Sequence, residues 1–210
     1  MKSIRLLLSA ICTVLVCALA SCESDNSLSK QPPAQSDVDM TKEFLVGDIV
    51  LSTRATLDGE DKTLLEGGCP TKFGFSWRED DYLVLSLIDF HVGAMPFDIS
   101  FRCACKLMKP NSWEKEEYPE DGWVKFSGKD GLVFSSPDEQ GDSQKGSGAT
   151  VEGFYNVFDK KIQFIINYNM MNVRSECFTQ IVNKDRINHF DEEFAKYEED
   201  LRKYKEDHNL

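Results

Sequence analysis

Strict alternation of apolar and polar side chains over residues 97–107 is the feature that most constrains the fold. In the sequence Phe-Asp-Ile-Ser-Phe-Arg-Cys-Ala-Cys-Lys-Leu every odd-numbered position is apolar, and most even-numbered positions are polar or small. Successive side chains of a β-strand point to opposite faces, so this period of two predicts a strand with one buried face. Cys103 and Cys105 are therefore expected to point into a core.

Similar short apolar segments recur from Phe44 onward, and turn residues separate them. They predict strands near residues 46–56, 72–78, 82–90, 97–108, 122–127, 131–136, 149–158, 161–169 and 175–183. Asp159-Lys160 is expected to form a hairpin turn, and Asp130-Gly131 a second tight turn. Without helical periods between the segments, the pattern predicts a mainly β domain, either an antiparallel β-barrel or a two-sheet sandwich.

The chain ends in a predicted amphipathic helix over residues 184–208. Its apolar stripe recurs at steps of three and four residues and comprises Ile187, Phe190, Phe194, Tyr197, Leu201 and Tyr204. We expect the stripe to pack on the domain's own sheet. The alternative is that it pairs with a partner or a second copy as a short coiled coil.

Residues 1–21 have the layout of a secretory signal, with Lys2 and Arg5 before an apolar run of about 14 residues. That run is shorter than the ~20 residues that cross a bilayer. Small residues followed directly by Cys22 resemble the bacterial lipobox, which implies that Cys22 is acylated and begins the mature protein. The alternative is an ordinary signal peptide that is cut near Ala20.

Residues 22–43 contain few apolar side chains and include Pro32-Pro33, which predicts a flexible tether ahead of a single domain at 44–210. Glu23 and Asp25 resemble the acidic export signal of lipoproteins in Gram-negative gut anaerobes. The resemblance implies a lipid-anchored protein of the outer membrane, at the cell surface rather than on the periplasmic face. A net charge of −12 argues against nucleic-acid partners.

Four cysteines lie within the domain, namely Cys69, Cys103, Cys105 and Cys177. In an exported protein they allow up to two disulfides, in three pairings. Neighbours on one strand face are poorly placed to bond each other, so bridges from Cys103 and Cys105 would reach the other two; buried free thiols are the alternative. The Cys-x-Cys pair lacks a nearby histidine, and we predict no metal and no other cofactor.

The sequence contains no motif that identifies a reaction. Its three histidines are scattered, and Asp89 near His91 is best interpreted as a polar strand end. We therefore predict no catalytic residues and expect that the protein is not an enzyme.

Aromatic side chains favour binding over catalysis. Phe75, Trp77, Phe101 and Tyr168 are expected to face the inside of a barrel, where they either fill the core or line a cavity for a ligand. A small apolar or glycan ligand is the first hypothesis. The second is that the chain is a protein-interaction subunit of an outer-membrane assembly.

The lipobox, the run of strands, the closing helix and two local sequences together resemble the uncharacterised calycin-like (lipocalin-like β-barrel) lipoproteins of Gram-negative gut anaerobes. The local sequences are Glu-Gly-Phe-Tyr-Asn at 152–156 and Asn-Tyr-Asn-Met-Met at 167–171. The resemblance implies an up-and-down barrel with a C-terminal helix over about residues 44–208, and it supplies no catalytic residues. The Gly-x-Trp of lipocalins is only approximated, by residues 74–77 on the second predicted strand, and the sandwich therefore stays an alternative.

Replacing Cys22 by Ala tests the anchor. If Cys22 carries the lipid, the Cys22→Ala protein is released in soluble form, because acyl chains supply ~0.8 kcal/mol of membrane affinity per buried methylene. Fractionation of cells followed by immunoblotting measures this release. A Cys22→Ala protein that stays with the membrane fraction contradicts the lipoprotein interpretation.

Overall fold

The structure is a computed structural model that describes residues 31–91, 97–136, 144–170 and 172–210. Three α-helices are present among these residues: α1 (Gln35–Phe44), α2 (Glu114–Glu117) and α3 (Phe190–His208), the last preceded by a 3-10 helix at Lys184–His189. The strands are β1 (Gly47–Leu57), β2 (Glu60–Asp61), β3 (Cys69–Trp77), β4 (Leu83–Phe90), β5 (Ile99–Met108), β6 (Trp123–Ser135), β7 (Lys145–Asn156), β8 (Lys161–Asn167) and β9 (Arg174–Ile181). No described helix is long and apolar enough to cross a membrane.

The strands form a closed, eight-stranded antiparallel barrel. β1 pairs with β3, each strand from β3 to β8 pairs with the next along the chain, and β9 returns to pair with β1 from Thr53↔Cys177 to Thr56↔Arg174. The short β2 pairs antiparallel with the last residues of β1. The mainly β prediction is confirmed, and the sandwich alternative is wrong because the β1–β9 pairing joins the two edges of the sheet.

Side chains fill the inside of the barrel. The largest fully buried ones are Ile49, Leu51, Phe73, Phe75, Leu83, Leu85, Ile99, Phe126, Tyr155, Ile162 and Tyr168. Aromatic rings from different strands contact each other across the interior. Phe73 of β3 and Phe164 of β8, for example, meet edge to face with centroids 5.0 Å apart. Buried odd-numbered residues along β5 confirm the predicted alternation, and Cys103 and Cys105 do point inward.

The predicted hairpin at Asp159-Lys160 is confirmed, because β7 and β8 pair from Thr150↔Asn167 to Tyr155↔Ile162. The predicted turn at Asp130-Gly131 is wrong, since β6 continues through it to Ser135. Instead the pairing register shifts there, and Asp130 takes a φ of 58°. Gly131 fits between β5 and β7, where an added Cβ would lie 3.0 Å from the Cβ of Cys103, so the segment forms a bulge within the sheet.

The tether prediction for residues 22–43 is wrong from Gln35 onward, because Gln35–Phe44 forms α1. Val38 and Thr41 are buried, and Phe44 stacks on Tyr155 inside the barrel with ring centroids 6.0 Å apart. The helix therefore covers one end of the barrel, which we call the α1 end. Residues 1–30, including the predicted signal peptide and Cys22, lie outside the described residues.

The C-terminal helix is confirmed, as a 3-10 turn followed by α3. Tyr197 is buried, and Phe194 and Leu201 pack against the core with part of each side chain exposed. Lys72 of β3 lies over the ring of Phe190, 4.8 Å from its centroid. The stripe thus packs on the domain's own sheet, as expected.

Gly153 of β7 gives a test of the packing. A Cβ there would lie 2.4 Å from both the Cζ of Phe126 and the Cβ of Phe164. Gly153→Ala should therefore lower the free energy of unfolding by about 1–3 kcal/mol through overpacking, measured by urea denaturation.

Gly146→Ala on the same strand is the matched control, since its Cβ would meet only the flexible end of Met170, at 3.3 Å. We expect that change to stay within about 0.5 kcal/mol of wild type. Equal stability of the two variants would contradict the packing described for β7.

Candidate functional site

Three of the four aromatic residues predicted to line a ligand cavity lie in the core. Phe75, Phe101 and Tyr168 are buried, and Phe101 meets Tyr168 edge to face at 5.5 Å. Trp77 is half-buried at the α1 end, where its indole N–H donates to the backbone oxygen of Leu45 at 2.8 Å. None of the four lines the three pockets described below. Their role in binding stays a prediction, and the geometry gives them places in the packing.

A groove of about 610 Å³ lies on the outer surface of β7, β8 and β9, beside α2. We call it the β7–β9 groove. Its outward-facing lining is Glu117, Tyr118, Glu152, Phe154, Gln163, Ile165, Arg174, Glu176 and Thr179. Apolar and polar side chains thus share a concave surface outside the filled barrel.

The short helix α2 forms one wall of this groove, and a capping box fixes its start. The backbone N–H of Glu114 donates to Asn111 Oδ1 at 2.9 Å, and the backbone N–H of Asn111 donates to Glu114 Oε2 at 2.8 Å. This reciprocal pair places Tyr118 at the end of α2, where its ring stacks on Phe154 with centroids 4.1 Å apart.

A row of neutral polar groups crosses the groove. Gln163 Nε2 donates to Tyr118 Oη, and Thr179 Oγ1 donates to Gln163 Oε1. Tyr118 Oη also donates to Glu117 Oε1 at 3.1 Å. Thr179 reaches Gln163 because the pairing of β8 with β9 shifts register between Ile162 and Phe164. The row therefore depends on a bulge in β9.

One ion-pair cluster supports the same wall. Lys125 of β6 has a side chain only 12% exposed, and its ammonium contacts Glu114 as well as Glu152, the latter at 2.9 Å. Burial lowers the pKa of Lys125, but hydrogen bonds to the two carboxylates outweigh this effect, and the net shift is upward. Lys125 thus stays charged at neutral pH and ties α2 to β7.

Acidic side chains outnumber basic ones on the rim of the groove. Glu117 and Glu176 face the opening, and Arg174 lies beside them without an ion pair to any described residue. Burial, followed by hydrogen bonding to Glu117, raises the pKa of Tyr118, which is therefore a neutral hydroxyl at pH 7. The groove offers neutral donors and acceptors, one guanidinium and three carboxylates, of which Glu152 is paired with Lys125.

Two further pockets, of about 520 and 270 Å³, lie along α3 and near the end of β4. His91 borders both, with its Nδ1 3.0 Å from Asp98 Oδ1. Asp89 instead accepts a hydrogen bond from Ser100 Oγ at 3.3 Å. Asp89 and His91 therefore have separate partners, in agreement with their interpretation as polar residues at a strand end.

The possible disulfides are not formed, since Cys69, Cys103, Cys105 and Cys177 are all buried free thiols. Cys103 lies opposite Leu85, which lies opposite Phe75, and six residues of β3, roughly 20 Å, separate Phe75 from Cys69. Cys105 lies opposite Leu83, still further along the sheet, so neither cysteine can form the predicted bridge to Cys69. A disulfide needs Cα atoms within about 7 Å. Burial raises the pKa of Cys69 to about 11, so this thiol stays protonated at neutral pH. Among the described residues, no three Cys, His, Asp or Glu side chains are arranged to hold a metal ion.

The fold and the groove define a small closed β-barrel protein with an external groove and a C-terminal helix. The chain matches the family described as "Domain of unknown function (DUF4903)" over residues 22–209, and it belongs to that family. No curated protein and no solved structure matched it. The barrel and helix agree with the architecture that the calycin-like resemblance implies.

Glu114→Gln tests the ion-pair cluster. The variant keeps a side-chain oxygen for the capping box but removes one charge next to the largely buried Lys125 side chain. We expect it to lower the free energy of unfolding by about 1 kcal/mol, measured by urea denaturation at pH 7.

Glu116→Gln, in the same helix, is the control, because Glu116 is exposed and has no ion pair with a described residue. The pKa of Lys125 is raised in the folded state, so the contribution of the pair is complete below the ordinary lysine pKa of about 10.4. It should disappear as the pH rises further, through the folded-state pKa. Equal stability of both variants at pH 7 would show that the cluster is not coupled to folding.

Proposed function

We propose that this protein is a lipid-anchored, non-catalytic binding module of the cell envelope that takes a segment of a neutral glycan into the β7–β9 groove. The observation that carries the proposal is the row formed by Tyr118, Gln163 and Thr179 on an open groove outside a filled barrel. An apolar ligand inside the barrel is disfavoured, since aromatic and aliphatic side chains occupy the interior.

The chemistry of the groove suits a sugar chain. Sugar rings present many hydroxyl groups and small apolar C–H faces, and their recognition therefore needs neutral hydrogen-bonding groups beside apolar surface. Gln163 and Thr179 provide the first, and Ile165, which is 37% exposed, provides the second. A volume of about 610 Å³ lies within the ~300–1,000 Å³ of small-molecule sites. Because the groove is open, a segment of a longer chain fits it better than an enclosed ligand.

The anchor is supported by the sequence around Cys22. The family match begins at this residue, which is the first residue of the mature protein in the lipobox interpretation. Glu23 and Asp25 support placement at the outer surface of the outer membrane of a Gram-negative gut anaerobe. A glycan-binding domain on a lipid anchor would hold sugar chains close to the cell.

A second candidate is a protein-interaction subunit of an outer-membrane assembly. The observation that favours it is the partly exposed stripe of α3, where Phe194 and Leu201 border a pocket of about 520 Å³. A partner side chain of modest size fits such a pocket. The two functions use different faces of the barrel and can be separated by mutation.

Titration calorimetry of the acylated protein in detergent, with a panel of neutral oligosaccharides, tests the glycan proposal. The panel contains short oligomers of glucose, mannose, galactose and N-acetylglucosamine. At least one should bind, and Gln163→Ala should weaken that binding about tenfold, since a lost hydrogen bond costs about 1–1.5 kcal/mol.

Thr179→Ala should weaken binding as well, whereas Thr150→Ala should not. Thr150 is an exposed residue of β7 that does not line the groove, and it therefore provides a matched control. Binding that survives both Gln163→Ala and Thr179→Ala would place the ligand elsewhere. No binding by any member of the panel would contradict a neutral glycan as the ligand class.

A further inference from the structure

Four exposed apolar side chains lie at the α1 end of the barrel. The exposed fractions are 48% for Val46, 72% for Trp113, 61% for Phe158 and 65% for Ile181. They come from four separate segments: the link from α1 to β1, the loop from β5 to β6, the hairpin from β7 to β8, and the end of β9. The fold therefore collects them at one end, and we call them the α1-end patch.

Contacts between these segments connect the patch. A Cβ on Gly122, at the start of β6, would lie 2.5 Å from the ring of Phe158, so this ring lies against the loop that carries Trp113. Ile181 pairs with Lys161 directly after the hairpin. Lys160 and Lys184 both lie over the ring of Phe44, 4.6 and 4.9 Å from its centroid. Two lysines thus stand among the apolar side chains.

The chain enters the barrel at this same end. The backbone oxygen of Gln31 accepts a hydrogen bond from the backbone N–H of Lys109 at 2.9 Å, in the loop that contains Trp113. Nine peptide units separate Gln31 from Cys22, a reach of at most roughly 30 Å when fully extended. An acylated Cys22 therefore keeps the α1 end close to the bilayer.

The composition of the patch suits a lipid headgroup region. Tryptophan concentrates at membrane interfaces, and phenylalanine and isoleucine bury apolar surface there. Lys160 and Lys184 form no ion pair with a described residue, whereas the neighbouring Asp159 is paired with Lys161. Lys160 does donate to the backbone oxygen of Val157, at 2.7 Å, but neither ammonium is neutralised by a described carboxylate, and both can contact lipid phosphates. Since the chain as a whole is acidic, apolar contact rather than net charge carries the attachment.

We propose that the α1 end docks on the lipid surface, with Trp113, Phe158 and Ile181 in the headgroup region. This inference rests on the lipid anchor of the proposed function and adds an orientation to it. A docked domain stands with its strands pointing away from the bilayer, and the opposite end of the barrel faces outward. The acyl chains attach the protein to the membrane, and the α1-end patch sets the orientation of the barrel relative to the bilayer.

Quenching of tryptophan fluorescence by brominated lipids tests the orientation. The acylated protein is reconstituted in vesicles of phosphatidylethanolamine and phosphatidylglycerol, part of which carries bromine near the headgroup. We expect quenching of the wild-type emission and loss of most of that quenching in Trp113→Phe, because Trp77 and Trp123 lie partly buried in the domain. Equal quenching of both proteins overturns the docking.

A second pair of variants leaves Trp113 in place. Phe158→Asp combined with Ile181→Asp should abolish the quenching while the protein still floats with the vesicles, and circular dichroism checks the fold. Ile88→Asp is the control, because Ile88 is 79% exposed near the opposite end of the barrel, and it should be quenched like wild type. Quenching unchanged in the double variant overturns the proposal.

Flotation of the vesicles distinguishes a failure of the lipid anchor from a failure of the docking of the α1 end. If the purified wild-type protein carries no acyl chain and does not float with the vesicles, the lipid anchor is contradicted, and the docking with it. Protein that floats without quenching contradicts the docking alone and assigns the patch to a protein partner. The glycan measurement is independent of either result.

Discussion

The pairing of β9 with β1 is the constraint on which the rest of the structure depends. It joins the two edges of the sheet, and a barrel of eight strands has an interior just wide enough for side chains to fill. Aromatic residues occupy this space, and glycines such as Gly153 leave room for their rings. Such a filled interior leaves concave surface only on loops and outer faces, and we propose the β7–β9 groove as the ligand site.

The closed barrel presents one surface at its α1 end and a different one on its side. At the α1 end, Phe44 stacks on Tyr155, and Trp77 donates to Leu45, so a short helix covers the core where the chain enters. Exposed apolar side chains gather around that helix. The groove lies on the side of the barrel, where α2 and the bulge in β9 bring polar groups together. One rigid barrel thus supports two surfaces of different chemistry.

Local patterns predicted much of the fold. The alternation along β5, the hairpin at Asp159-Lys160 and the stripe of α3 all follow from periodicity that one segment reveals by itself. Local patterns could not choose between the predicted barrel and sandwich, because the pairing of β1 with β9 joins residues more than a hundred positions apart; only the calycin-like resemblance favoured the barrel. Helix α1 was missed since it carries few apolar residues, and the partners of Phe44 become visible only in the barrel. Asp130-Gly131 is a turn signal that the sheet uses as a bulge.

The β7–β9 groove could not be predicted either, because its contacts join residues from separate strands. Outward polar residues such as Gln163 and Thr179 look like an ordinary solvated face, and only the register of β8 with β9 makes them neighbours. Asn111 and Glu114 did provide a local signal, the spacing of a capping box, which could have located α2. The even number of cysteines was misleading because it says nothing about distance, and the register of β3, β4 and β5 keeps Cys103 and Cys105 far from Cys69.

The claim that recognition takes place outside a filled barrel is tested most directly by nuclear magnetic resonance. Amide and methyl signals of the domain are followed while a binding oligosaccharide is added. Shifts confined to the outward residues of β7, β8 and β9 and to α2 are the expected result. Shifts centred on inward residues such as Phe101 and Tyr168, with the groove unchanged, would contradict the account and place the ligand inside the barrel.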